Sequence, residues 1–141
     1  MNKQKGFSLV EIMVAVVIAS ILAAIVVPAY SNHVRRGKIA EATTQLSGLR
    51  VAMEQFFQDN RSYLNGGACG AALPVAPQVR YFTYACAGTA TTYTLTATGV
   101  GSMAGFSYTL NETNTRTSAV NGVNGWAGNG ACWVTKPGGA C

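Results

Sequence analysis

Four cysteines are the residues of this chain whose type and number most directly indicate chemistry. Cys69, Cys86, Cys132 and Cys141 form an even set, and such a set in a small domain favours two disulfides formed in an oxidising compartment. A zinc site is disfavoured because the chain has no C-x-x-C pair and its only histidine, His33, lies far upstream. Sequence alone allows three disulfide pairings, and loop length and position favour Cys69 with Cys86 and Cys132 with Cys141.

Acid–base chemistry has almost no residues to support it. Beyond Asn60 the chain contains no histidine, no aspartate and one glutamate, Glu112. A general acid and base cannot be assembled from that set, and cysteines joined in disulfides cannot act as nucleophiles. We therefore expect no catalytic residue, no metal site and no cofactor, and the protein is predicted not to be an enzyme.

Glu11 is the other residue whose type stands out, because it is the single acid in an apolar stretch from Phe7 to Tyr30. As a helix these 24 residues would extend about 36 Å, enough to cross a hydrocarbon core about 30 Å thick. A carboxylate there costs about 2.5–3.5 kcal/mol on membrane-insertion scales and rarely lacks a partner. Pro28 removes one backbone hydrogen bond, and a kink is expected near it.

The sequence divides into a short basic leader, residues 1–6, a transmembrane or assembly helix, residues 7–30, and a globular domain, residues 31–141. Basic residues flank both ends of the apolar stretch, so the distribution of charge does not orient it in a membrane. The expected disulfides do, because they place the domain on the non-cytoplasmic side.

The globular domain is predicted to combine the second half of the helix with a sheet. Apolar residues recur at helical spacing on one stripe, namely Ile39, Ala42, Leu46, Leu49, Met53 and Phe56. A loop over residues 63–80 should be irregular, and residues 81–86, 92–98 and 106–111 are predicted strands. The expected fold class is α+β, a long N-terminal helix packed on three or four antiparallel strands. A C-terminal loop follows, closed by a disulfide at Cys132–Cys141. This loop has too little apolar mass to stay folded without that bond.

The N-terminal run KGFSLVEIMVAVVIASILAAIVVPAY, residues 5–30, closely resembles the class III signal and N-terminal helix of type IVa pilins. The basic leader ends in Gly6, Phe7 is an aromatic first mature residue, and Glu11 and Pro28 stand at the family's spacing. The rest of the chain resembles small minor pilins more loosely, and the additional pair Cys69 and Cys86 departs from the simplest pattern of one disulfide.

The resemblance implies that a prepilin peptidase cuts between Gly6 and Phe7 and that Phe7 is then N-methylated. After cleavage the new amine of Phe7 lies four residues from Glu11 on the same helical face. The resemblance implies that Glu11 pairs with this amine of a neighbouring subunit. The subunit would be stored as a single-pass protein of the inner membrane with a periplasmic domain, and would then join an extracellular filament. Its partners would be other pilin subunits and the inner-membrane assembly machinery, and the filament would support adhesion and twitching motility.

Two other functions share the same N-terminal helix. A competence pilin would bind DNA. The basic charge and three residues near predicted loops, Arg80, Arg116 and Lys136, are a weak signal for this because they are scattered in sequence. A type II secretion pseudopilin often carries a calcium site, which needs several carboxylates. The single acid beyond Asn60, Glu112, argues against it.

Overall fold

The computed structural model describes residues 7–141, so the leader and the predicted cleavage residue Gly6 lie outside the described residues. The chain forms two compact units, one that ends at Val34 and one that runs from Arg35 to Cys141.

One helix, α1, spans Leu9–Asn60 and belongs to both units. In the second unit its apolar stripe is buried as the spacing predicts, except that Phe56 is only half-buried. The helix ends where Arg61 adopts a left-handed conformation with φ of 53°, and the Arg61 N–H donates to the Phe57 carbonyl. That conformation at the first residue past a helix is a common termination signal.

The segment after the helix was predicted to be irregular throughout, and that prediction was wrong at one place. Two very short strands, β1 (Leu64–Asn65) and β2 (Ala68–Cys69), form a hairpin. The two residues between them, Gly66 and Gly67, both have positive φ, which is the requirement of the tightest hairpin turns. Strands of two residues are too short to produce a periodic pattern in sequence.

The main sheet has four antiparallel strands in the order β3-β4-β5-β6. Their bounds are Phe82–Gly88, Tyr93–Gly99, Phe106–Asn111 and Arg116–Val120. The first three strands confirm the predicted segments to within two residues. Each strand pairs with the next along the chain, so the sheet is a simple meander.

The core of the second unit lies between α1 and one face of this sheet. Side chains of β4 and β5 alternate between buried and exposed or half-buried, as expected for strands with one covered face. The buried apolar residues of the sheet are Phe82, Tyr93, Leu95, Ala97, Phe106, Tyr108 and Leu110. They pack with the stripe of α1, which confirms the expected α+β architecture.

Candidate functional site

The apolar segment of the first unit is uncovered. Every residue from Phe7 to Tyr30 is exposed, including Phe7 at 80% and Leu9 at 75%. Its most apolar window has a mean hydropathy of 2.9 and is wholly unburied, and by length and composition alone it could cross a membrane. A continuous apolar surface of this size requires a covering partner, either lipid or protein.

Glu11 lies in the first turn of α1 and is exposed. Its carboxylate accepts a hydrogen bond from the Ser8 N–H at 3.4 Å, and the Glu11 N–H donates to the Ser8 carbonyl at 3.1 Å. The carboxylate therefore also satisfies a backbone donor at the start of the helix, where negative charge is favoured. Sequence-based prediction gave Glu11 only a role in assembly, although the pattern Ser-x-x-Glu at 8–11 indicates this cap.

Pro28 lies inside α1, and the helix continues through it to Asn60. Proline has no N–H, so the carbonyl of Ala24, four residues earlier, lacks its usual helical donor. The expected kink and the role of Pro28 in assembly stay predictions.

In the second unit, Glu41 joins α1 to the chain that enters the sheet. Its carboxylate accepts hydrogen bonds from the Arg80 N–H at 3.1–3.2 Å and the Tyr81 N–H at 3.0 Å. The Tyr84 hydroxyl donates to the Glu41 carbonyl at 3.4 Å. Burial, followed by the nearby Glu41 carboxylate, raises the pKa of Tyr84. This hydroxyl therefore stays protonated at neutral pH and acts as a donor.

A second carboxylate, Glu54, holds two tyrosines between α1 and the sheet. The hydroxyls of Tyr63 and Tyr93 each donate to Glu54 at 3.2 Å, and their rings meet edge to face at 4.7 Å. Burial, then the Glu54 carboxylate, raises the pKa of both tyrosines. The Glu54 carboxylate thus ties α1 to Tyr63 and to Tyr93 of the sheet.

The cysteines form two disulfides, Cys69–Cys86 and Cys132–Cys141. The first links β2 to β3, and the second closes the C-terminal loop. These are the pairs that loop length favours. Among residues 7–141 no group of three or more histidine, cysteine, aspartate or glutamate side chains is arranged to hold a metal ion.

The C-terminal loop is anchored to the sheet by more than its disulfide. Ser118 of β6 is buried, and its hydroxyl donates to the Cys132 carbonyl at 2.7 Å and accepts from the Val134 N–H at 2.8 Å. The Tyr108 hydroxyl donates to the Val134 carbonyl at 2.9 Å. Val134 itself is fully buried. The loop thus has specific polar and apolar anchors that its glycine-rich composition does not indicate.

Two basic residues of the domain lie over aromatic rings, Lys38 over Tyr81 and Arg116 over Trp133. The guanidinium of Arg116 lies 4.8 Å from the centre of the Trp133 ring, within the range of cation–π contacts. The indole N–H of Trp133 donates to the Thr109 carbonyl at 2.8 Å, which fixes the ring. Arg116 remains exposed, so its charge is oriented and accessible.

Comparison with known proteins matches this chain to two family models. Residues 1–27 match the prokaryotic N-terminal methylation motif, and residues 28–118 match a family described as "Type IV minor pilin ComP, DNA uptake sequence receptor". The chain belongs to this family of type IV minor pilins. Members of the pilin family are structural proteins and not enzymes.

Two of the similar proteins are fimbrial proteins. A fimbrial protein of Moraxella nonliquefaciens is 41% identical over 66 residues, covering 47% of this chain and 43% of the relative. The fimbrial protein EcpC of Eikenella corrodens is 36% identical over 101 residues, covering 69% of this chain and 66% of the relative. The match thus spans about half to two thirds of these relatives' lengths.

The structural similarity concerns the fold alone. The non-core minor pilin PilV of Neisseria meningitidis superposes with a TM-score of 0.53 at 18% sequence identity, covering 66% of this chain and 94% of that one. The long helix packed on an antiparallel sheet, which the sequence predicted, is therefore the pilin fold.

Proposed function

We propose that this minor pilin is a structural subunit of a type IV pilus. Residues 7–30 would hold it in the inner membrane, with the domain periplasmic, and would then pack against other subunits in the extracellular filament. The observation that supports this proposal is the apolar segment of residues 7–30, which is exposed along its whole length. Lipid covers it before assembly, and the equivalent helices of neighbouring subunits cover it afterwards.

Processing of the N-terminus precedes assembly. A prepilin peptidase cuts between Gly6 and Phe7, and the new amino group of Phe7 is methylated. The match of residues 1–27 to the methylation motif supports this step. Removal of Lys3 and Lys5 with the leader lowers the formal net charge of +5 by two units.

The remaining partners follow from the same proposal. Other pilin subunits pack around the helix, and the inner-membrane assembly machinery extracts the subunit from the bilayer. The filament would serve adhesion and twitching motility, with the domain, residues 31–141, on its surface.

Replacement of Gly6 by leucine tests the cleavage step. A side chain at this position hinders entry of the backbone into the peptidase cleft, so we expect the full leader to remain on the protein. Mass spectrometry of the intact chain from cells that contain a prepilin peptidase measures this directly. Gln4→Ala is the control and should be processed normally. A mature chain that begins well after Tyr30 in the unmodified protein would exclude the retained helix.

A second candidate function is binding of DNA during uptake. The family's description supports it, as does the exposed Arg116 that stacks on Trp133. Lys136 is exposed in the same C-terminal loop. A stacked guanidinium loses little rotational freedom on binding and can donate in plane to a phosphate. No corresponding feature of the described residues favours the pseudopilin function.

DNA binding is tested by gel shift of the full-length protein in detergent micelles over a range of salt concentrations. The slope of log affinity against log salt is negative, and each lost phosphate contact reduces its magnitude by about 0.9. We therefore expect Arg116→Gln to weaken binding and to reduce the slope by that amount. Arg116→Lys retains the charge and should keep most of the slope. Identical salt dependence of the Arg116→Gln variant and the unmodified protein would contradict the contact.

A further inference from the structure

Four asparagines of this chain are each followed by glycine, at 65, 121, 124 and 129. In an Asn-Gly pair the glycine backbone nitrogen can attack the side-chain amide carbon of asparagine, because glycine has no Cβ to hinder the approach. A nitrogen–carbon bond forms, the carbon–nitrogen bond of the side-chain amide breaks, and ammonia leaves. Water then opens the cyclic imide to aspartate or to isoaspartate. The reaction needs no enzyme and no reactant other than water.

The structure leaves three of these asparagines free to react. Asn65, Asn121 and Asn124 are exposed, and their side-chain amides make no hydrogen bond within the described chain. The glycines that follow them have φ of 60°, 70° and 75°. This left-handed backbone favours glycine. In each of the three pairs the glycine N–H is the attacking group, and it has no hydrogen-bond acceptor among residues 7–141. The turns that need glycine therefore also expose the reacting nitrogen.

Asn129 differs from the other three. Its side-chain oxygen accepts from the Ala131 N–H at 2.9 Å, and its side-chain nitrogen donates to the Gly139 carbonyl at 3.1 Å. Its backbone exchanges two hydrogen bonds with Ser118 at 2.7 and 2.8 Å. The attack of the Gly130 backbone nitrogen requires the Asn129 side chain to rotate, and this rotation would break these contacts. The reaction at Asn129 is therefore hindered.

We propose that Asn65, Asn121 and Asn124 are sites of spontaneous deamidation. As the protein ages, this reaction converts a neutral side chain in each of three turns of the domain into a carboxylate. Each event adds one negative charge, so the three together lower the formal net charge of the full sequence from +5 by three units. Asn65 is paired with Ala68 in the β1–β2 hairpin, and Asn121 is also held at its backbone. Its N–H is bonded to the Gly105 carbonyl at 2.9 Å, and its own carbonyl lies so close to Gly105 that an added Cβ there would clash.

The position of Asn124 gives its reaction a structural consequence. The Gly125 carbonyl accepts the Gly138 N–H at 2.9 Å, which joins this turn to the C-terminal loop. Isoaspartate at 124 inserts one carbon into the main chain beside that contact and displaces the carbonyl. Should DNA binding be established, the added charges would also weaken it through phosphate repulsion. That consequence rests on the second candidate function, whereas the deamidation does not.

The test follows each site by peptide mass spectrometry. Processed full-length protein in detergent micelles is incubated at mildly alkaline pH in water enriched in heavy oxygen, which labels the new carboxylate. A parallel sample is unfolded in denaturant. We expect all four sites to be labelled in the unfolded chain. In the native protein, labelling at Asn129 should be at least about tenfold slower than at Asn65 and Asn124, because two side-chain hydrogen bonds must first break.

Two controls keep the outcome tied to the named residues. Asn65→Gln should abolish labelling of its own peptide only, because glutamine would have to close a larger, slowly formed ring. Tryptophan fluorescence should confirm that the native sample stays folded during incubation. Equal labelling of Asn129 in native and unfolded protein, or no labelling at Asn65 and Asn124 in the native protein, would overturn the proposal.

Discussion

Replacement of Glu11 by glutamine is expected to remove the protein from filaments while leaving its membrane insertion and its helix intact. In the filament, Glu11 is expected to form a buried ion pair with the Phe7 amine of a neighbouring subunit. Loss of the carboxylate costs about 3–5 kcal/mol, since the charge of the amine is left uncompensated. That cost corresponds to at least about a hundredfold weaker association of subunits. The amount of protein in sheared filaments, relative to the membrane fraction, measures the effect.

Glutamine is the informative replacement because Glu11 also accepts a hydrogen bond from the Ser8 N–H at the start of α1. The glutamine side chain keeps an acceptor for that bond but has no charge. Circular dichroism in micelles should therefore show unchanged helix content. Ser20→Ala is the matched control in the same segment, since the Ser20 hydroxyl is satisfied within the helix by the Val16 carbonyl at 2.7 Å. Normal incorporation of the Glu11→Gln variant would show that the carboxylate acts as a helix cap and not as half of an ion pair.

Replacement of Ser118 by alanine should destabilise the domain by about 2–4 kcal/mol, because two backbone groups lose their partner at once. The Val134 N–H and the Cys132 carbonyl both bond to the Ser118 hydroxyl, and Val134 is fully buried. Denaturant unfolding of the full-length protein in micelles, followed by tryptophan fluorescence, measures the change in the free energy of unfolding.

Ser107→Ala provides the control for this prediction, since Ser107 lies on the neighbouring strand β5 without a side-chain hydrogen bond within the described chain. It should change the free energy of unfolding by less than about 0.5 kcal/mol. A variant with both Cys132 and Cys141 replaced by alanine should lose about 2–3 kcal/mol from loop-closure entropy, yet keep native fluorescence because Ser118 still docks the loop. Equal effects of Ser118→Ala and Ser107→Ala would show that the hydroxyl bridge adds nothing to stability.

The sequence predicted the elements that rest on regular spacing. The apolar run from Phe7 to Tyr30, the stripe from Ile39 to Met53 and the alternation in β4 and β5 are visible because burial repeats along the chain. The fourth strand, Arg116–Val120, was not identified as a segment. Its one buried side chain is Ser118, so it has no apolar alternation to detect.

Only part of the candidate site could be predicted from a pattern along the chain. Gly6, Phe7, Glu11 and Pro28 form a linear pattern, which sequence can show without a fold. The anchors of the C-terminal loop are different, since Tyr108, Ser118 and Val134 come from two strands and a loop. Composition suggested that this loop depends on its disulfide, whereas the structure shows three further anchors.

Sequence alone therefore determined that this chain has a long apolar helix with one acid, an amphipathic continuation and a sheet in an oxidised domain. These features depend on residue type and on spacing between near neighbours. The tertiary structure decided which polar groups meet, such as Glu41 with the backbone of Arg80 and Tyr81. It also decided that, of the four asparagines followed by glycine, Asn129 has its side chain held by hydrogen bonds. Hydrogen bonds need partners within about 3 Å, and only the packing of the helix, strands and loops brings such distant residues together.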